Sequence, residues 1–195
     1  MGGKMKKIYL LVLFFFAMVS TALAVPLCWN DNGHYYEQVQ SNAFWNTAKV
    51  AAELMTYSGM NGHLVTITSQ SENDFLNNNW NVGMYWIGAY QYDKLAEPAG
   101  HWRWVTDEPW GYTNWSPQNV IDQPDNSGNV EDWAQFQGPV GLPSGLWNDW
   151  GENGDWAQVS HGYFVEYESN AVVPEPTTLS LLGLGLLGLI VRRRR

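Results

Sequence analysis

The side chains best suited to chemistry in this 195-residue chain crowd into one stretch: Gln123 and Asp125 flank Pro124, Glu131 and Asp132 follow, and Asn148 and Asp149 come after Trp147. All of them offer oxygen, as carboxylate or amide. A hard divalent cation such as calcium takes six to eight oxygens at about 2.3 to 2.6 Å, whereas zinc draws on His or Cys. His34, His63, His101 and His161 are scattered with no pair at ligand spacing, and each reads as a surface or core residue. Residues of this kind also favour turns, but so many acidic groups in one loop region fit calcium better than turn propensity alone.

Catalysis finds no comparable support. No Ser stands with His and Asp in a recognisable order, and the single cysteine, Cys28, sits on a terminal segment without an activating partner. A glycosidase built on Glu131 and Asp149 would need one of them protonated, and a calcium ion between them would hold both ionised. A binding protein is expected rather than an enzyme.

The elements that must position these groups alternate between helical and extended patterns. His34 to Val39 reads as an opening strand. Ser41 to Tyr57 carries Phe44, Trp45, Ala48, Ala51, Ala52 and Met55 at helical spacing, with Gly59 as a stop. His63 to Thr68 is short and β-branched. Ser69 with Glu72 forms a capping box that starts a second helix through Phe75 and Leu76. Tyr85 to Ala89, Trp102 to Trp104 and Gly162 to Glu168 read as strands. Between them, Thr106 to Asp155 is dense in Gly, Pro, Asn and Asp and reads as mostly irregular, a length that is usually functional.

Both ends of the chain read as addresses. Lys4, Lys6 and Lys7 precede an apolar run from Ile8 to Val19, and Ala22-Leu23-Ala24 supplies a cleavage site, so residues 1–24 form a signal peptide. At the other end Val173-Pro174-Glu175-Pro176 precedes an apolar run from Leu179 to Val191 and then Arg192 to Arg195. That tail resembles the PEP-CTERM sorting signal of Gram-negative bacteria. The resemblance implies processing by an exosortase-type membrane protease near Pro174, Glu175 and Pro176, transient membrane contact through the C-terminal helix, and an extracellular or cell-surface destination. With both ends removed, Lys49, Lys94 and Arg103 are the only Lys or Arg facing all but one of the 19 acidic side chains. Such a surface repels nucleic acid and anionic lipid and suits cations.

Taken in order, GHLVTITSQSENDF, YWIG, WRW, QPDNSGNVED, WND and YFVEY resemble the C-type lectin-like domain over nearly all of the middle portion. The implied fold is α+β, with two helices flanking small antiparallel sheets and a long irregular loop region that binds calcium and sugar. The implied division is a lectin-like domain over 25–168, a linker over 169–173 and the sorting signal over 173–195. Carried over position by position, the resemblance implies Gln123, Asp125, Glu131, Asn148 and Asp149 as ligands of one Ca2+ ion, with Asp149 also lending its backbone carbonyl and Pro124 in cis. The same five side chains would hydrogen-bond two sugar hydroxyls that complete the ion's shell. Asp132 and Asn126 could help hold a second ion, and Glu72 with Glu166 resembles an auxiliary structural site.

In this family QPD goes with galactose-type sugars, so the expected partner is a galactose-type glycan or exopolysaccharide. Galactose-type readers commonly add a Trp after the tripeptide. Here Asn126-Ser127-Gly128 follows, leaving Trp115, Trp133, Trp150 and Trp156 as candidate platforms. The family's paired cysteines are absent, with Trp133 and Val165 at two of their positions, where they would fill the volume with apolar contacts. A protein-interaction module whose calcium only stiffens the loop is the other function left open.

Overall fold

The structure, a computed structural model, describes residues 25–137, 145–151 and 161–168. The expected signal peptide, linker and sorting tail, including Pro174, Glu175 and Pro176, lie outside the described residues, as does Trp156.

Among the described residues, nine strands and two α-helices appear in the order β1 (Leu27–Cys28), β2 (Tyr35–Gln40), α1 (Trp45–Glu53), β3 (Thr56–Tyr57), β4 (Met60–Leu64), α2 (Gln70–Asn79), β5 (Tyr85–Gln91), β6 (Trp102–Trp104), β7 (Glu131–Phe136), β8 (Trp147–Gly151) and β9 (Gly162–Glu168). The α+β class is therefore as read from the sequence. The main path of the sheet runs β1-β2-β9-β5-β7-β8, with β4 on β9, β3 on β4 and β6 on β5. The last strand is thus central. One edge of β9 pairs antiparallel with β2, and the other is shared by β4 and the start of β5.

Two apolar clusters lie on opposite faces of this sheet, as the alternation of strand side chains requires. From β5, Tyr85, Ile87 and Ala89 enter one cluster and Trp86 the other; from β9, Phe164 enters the first, and Tyr163, Val165 and Tyr167 the second. Helix α1 covers the second cluster with Trp45, Ala48 and Ala52. Two indole bonds lock it in place: Trp45 Nε1 donates to Ile87 O at 2.8 Å, and Trp86 Nε1 donates to Ala43 O at 2.9 Å. At Gly62 the helix comes so close that a Cβ would meet Ala52 O at 2.6 Å, so only glycine fits.

Three elements depart from the sequence reading. Helix α1 stops at Glu53 rather than Tyr57, because Thr56–Tyr57 turns back on Met60 and Asn61 through Ser58 and Gly59, both at positive φ. The extended segment after it ends as a strand at Leu64, four residues short of Thr68. The stretch from Thr106 contains two strands, β7 and β8, which pair with each other and carry Glu131, Asp132 and Asp149. Ser69 caps α2 by accepting Glu72 N–H at 3.2 Å, but the Glu72 carboxylate bonds Thr68 N–H at 2.8 Å rather than closing the box on Ser69.

Candidate functional site

Trp147 fixes the strand that carries Asn148 and Asp149. Its backbone N–H donates to Asn114 O at 2.8 Å and its carbonyl accepts Ser116 N–H at 3.0 Å. Its indole Nε1 donates to Asn73 Oδ1 at 2.8 Å, and Trp104, Trp110, Trp115 and Tyr112 pack around the ring. Gln123 N–H donates to Ser116 O at 2.9 Å, which returns the intervening loop to the same segment. The Gln123–Pro124 peptide bond is cis.

From this base the acidic groups converge. Carboxylate oxygens of Asp125, Glu131 and Asp149 all lie within 4.8 Å of one another. Two oxygens bound to one calcium at about 2.3 to 2.6 Å can be no further apart than about twice that distance, so the trio fits a single ion. Backbone amides hold the trio in place: Asp149 accepts Asp125 N–H at 3.1 Å and Asn126 N–H at 2.8 Å, while Glu131 accepts Ser127 N–H at 2.9 Å. Asn126 closes the loop by accepting Glu131 N–H on Oδ1 at 3.1 Å, with its own backbone at positive φ.

The electrostatics show a site that wants positive charge. Burial, and then the negative charge of Asp149, push Glu131 up to about 8. Burial pushes Asp149 up to about 6, even though the Asn126 and Asp125 amides pull it down. Gln123 Oε1 is buried with no hydrogen-bond partner, another oxygen that a cation would satisfy. Asn148 is buried, and its Nδ2 donates to Asp149 O at 2.6 Å, which engages the carbonyl expected as a ligand.

The other expected ligands are placed differently. Asp132 Oδ2 lies 3.0 Å from Lys94 Nζ, and its Oδ1 is buried without a partner. Glu72 and Glu166 are brought together far from the acidic trio, around the Tyr36 hydroxyl, which lies 2.7 Å from Glu72 Oε1 and 3.1 Å from Glu166 Oε1. Each of their four oxygens already has a partner: Thr66 N–H occupies Glu166 Oε2, and Thr68 occupies Glu72 Oε2.

Sequence reasoning missed Glu97 and Gln91. Both carboxylate oxygens of Glu97 and the Oε1 of Gln91 are buried without partners. They stand singly in an aromatic hairpin, so nothing in their spacing flagged them. Gln91 Nε2 donates to Pro98 O and Gly100 O, and Lys94 ties the same hairpin to Asp132.

Among the candidate platforms, Trp115 packs at 4.7 Å from Trp102 in the first cluster. Trp133 and Trp150 are cross-strand neighbours packed against the second cluster, which puts Trp150 on the opposite face of β8 from Asp149. Val165 belongs to that same cluster, so the residues at two cysteine positions both contribute apolar contacts.

Comparison with known proteins gives two matched families. The Lectin C-type domain matches residues 45–153, and the PEP-CTERM protein-sorting motif matches residues 172–195. Halomucin of Haloquadratum walsbyi is 31% identical over 139 residues, covering 69% of this chain and 1% of that protein. Human C-type lectin domain family 10 member A is 35% identical over 116 residues, covering 56% of this chain and 33% of that protein. The chain thus spans a third or less of these two relatives. Among solved structures, the C-type lectin CEL-I from Cucumaria echinata superposes with a TM-score of 0.55 at 25% identity, over 74% of this chain and 97% of that one.

Proposed function

Because this chain belongs to the C-type lectin domain family, we propose that it binds carbohydrate through a calcium ion held by Gln123, Asp125, Glu131, Asn148 and Asp149. Its relatives by family are lectins and receptors rather than enzymes. The observation that carries the reading is the convergence of three carboxylates within 4.8 Å, two of them raised by burial. Three negative charges in so small a volume repel each other, and a divalent cation relieves them while leaving positions for outside oxygens.

When bound, calcium supplies a positive centre that accepts hydroxyl oxygens. The side chains of this protein do the rest. Carboxylates accept hydroxyl protons, and the amides of Gln123 and Asn148 donate to the hydroxyl oxygens. The order amide, proline, acid in Gln123-Pro124-Asp125 supports a galactose-type sugar. A second ion would sit beside Asp132 and Asn126, with Glu97 and Gln91 as further oxygen donors from the hairpin that Lys94 ties to Asp132.

The sorting motif supports a life outside the cytoplasm: export, processing by an exosortase-type protease, and association with exopolysaccharide or the cell surface. A glycan array probed with the processed protein in calcium and in EDTA tests the reading. Binding to galactose-terminated glycans in calcium, abolished by EDTA, is expected. Absence of any calcium-sensitive signal would sink it.

A further inference from the structure

Strands β7 and β8 present two different faces, and the one turned away from Asp149 carries a row of rings. Directly across the sheet, Arg103 on β6 pairs with Tyr90 on β5, Tyr90 with Trp133 on β7, and Trp133 with Trp150 on β8. Residues directly opposite each other in a ladder share a face, so four neighbouring strands give one side chain each to a single line. The register slips by one residue between Glu131 and Trp133, which pairs Glu131 with Gly151. A slip of this kind re-aims side chains. Here it sends Glu131 to the face of Asp149 while Trp133 stays with Trp150.

The line is firmly backed and partly in water. Tyr90, Trp133 and Trp150 rest on the second apolar cluster, and each keeps part of its surface exposed. Trp45 packs on Tyr90 at 5.3 Å. The Arg103 guanidinium lies 5.0 Å from the ring centres of both Tyr90 and Tyr92, and His101 stacks on Tyr92 at 5.1 Å. That end is open, with the Arg103 side chain 45% and Tyr92 50% exposed. Neighbouring strands stand about 4.7 to 4.9 Å apart, so the line from Arg103 to Trp150 is about 14 Å long.

The chemistry of the row narrows what it can hold. Each ring joins a flat apolar surface to a polar tip, a hydroxyl or an indole N–H, and Arg103 adds a planar fork of donors. An aliphatic partner would leave those tips unpaired. Nucleic-acid bases stack on such rings too, but a phosphate chain needs a basic surround. Arg103 is instead accompanied by Asp107 at 3.9 Å, and Asp93 bonds His101. What remains is an uncharged molecule with apolar ring faces and a rim of hydroxyls.

We propose that Arg103, Tyr90, Trp133 and Trp150, with Tyr92 and His101, form a calcium-independent platform for an uncharged, extended polysaccharide chain lying across the strands. Sugar rings stack by their C–H faces on the indoles and phenols, while the guanidinium donates to hydroxyls. Because Asp149 faces the other way, one domain holds two chains at once and cross-links them. The platform stands apart from the calcium reading.

The test is affinity electrophoresis of the untagged full-length protein in EDTA, through gels containing hydroxyethylcellulose, linear galactan or carboxymethylcellulose. Retardation by at least one of the two neutral polymers is expected, with less by the anionic one. Trp150→Ala should weaken it about tenfold, the loss typical of an aromatic anchor. Since that indole also packs on the core, Arg103→Ala and Tyr92→Ala provide the second measurement, each weakening retardation about threefold while calcium uptake stays unchanged. No retardation by either neutral polymer, retardation by carboxymethylcellulose alone, or equal retardation of wild type, Arg103→Ala and Tyr92→Ala overturns the proposal. EDTA strips calcium throughout, so none of these results bears on the calcium site.

Discussion

Asp149 and Asn126 are joined across 23 positions by a bond from the Asn126 backbone N–H to Asp149 Oδ2 at 2.8 Å. The same carboxylate takes the Asp125 amide, so a residue proposed to ligate an ion also fastens the loop to β8. Asp125, by contrast, is exposed and accepts the Ser127 amide at 3.2 Å. The two residues should therefore separate when mutated. Asp149→Ala is expected to abolish calcium uptake and also to lower stability in EDTA by about 1 to 3 kcal/mol, the usual cost of stranding buried donors. Asp125→Asn should weaken calcium uptake strongly and change the EDTA melt little. Titration calorimetry and thermal melts distinguish these outcomes.

Calcium affinity should rise with pH. Glu131 stands at about 8 and Asp149 at about 6, both raised first by burial, so an incoming ion must displace protons. Between pH 6 and 8 one proton leaves per ion, and affinity is expected to climb about tenfold per pH unit, flattening above 8. The metal-free protein should run the other way. A carboxylate whose folded value is raised makes the folded state bind more protons than the unfolded one, so stability falls as pH rises from about 4 through 8. Melts in EDTA and titrations across this range check both slopes, and a pH-independent affinity would contradict the first.

The tripeptide order should set sugar choice. Exchanging acid and amide in Gln123→Glu with Asp125→Asn preserves the oxygen count for calcium and reverses donors and acceptors around the hydroxyls. The double variant is expected to keep calcium uptake and to move from galactose-type to mannose-type glycans on an array. If instead calcium uptake and array signals both stay as in wild type, the tripeptide does not read sugar.

Tyr36 should matter more at high pH than at low. Its hydroxyl bridges the buried carboxylates Glu72 and Glu166, and burial and then the charge of Glu166 raise Glu72 to about 7. Tyr36→Phe removes that donor and pushes Glu72 higher still. Folded protein then holds its proton over a wider range, so the loss of stability should be greater at pH 8 than at pH 5, where Glu72 is protonated in both proteins. Melting curves at the two pH values measure the difference, with a loss of about 1 to 3 kcal/mol at the upper one.

Much of the domain was legible where one segment carries its own signal. Gly162 to Glu168 is buried on both faces, so its apolar run marked a strand with both ends correct. The acidic trio was visible because its members come from two short segments dense in oxygen donors. What stayed hidden depended on distant partners. Strands β7 and β8 carry Glu131, Asp132, Asn148 and Asp149, acidic and amide residues that are poor β formers, so they looked like loop; their pairing to each other, and of β7 to β5, makes them strands. Helix α1 was overextended because Met55 keeps the helical spacing, while the reversal at Ser58 and Gly59 needs only two residues to win. The contacts of Glu168 with His34 and His63 have no local trace, since the three residues are distant in sequence and only the register of β9 between β2 and β4 brings them side by side.

That final strand has a temporal meaning as well as a spatial one. Both halves of the sheet hydrogen-bond to β9, the strand that comes latest among the described elements, so the domain stays without its centre until Glu168 has been made. The centre of the sheet therefore forms from a strand that lies just ahead of the matched sorting motif in the chain.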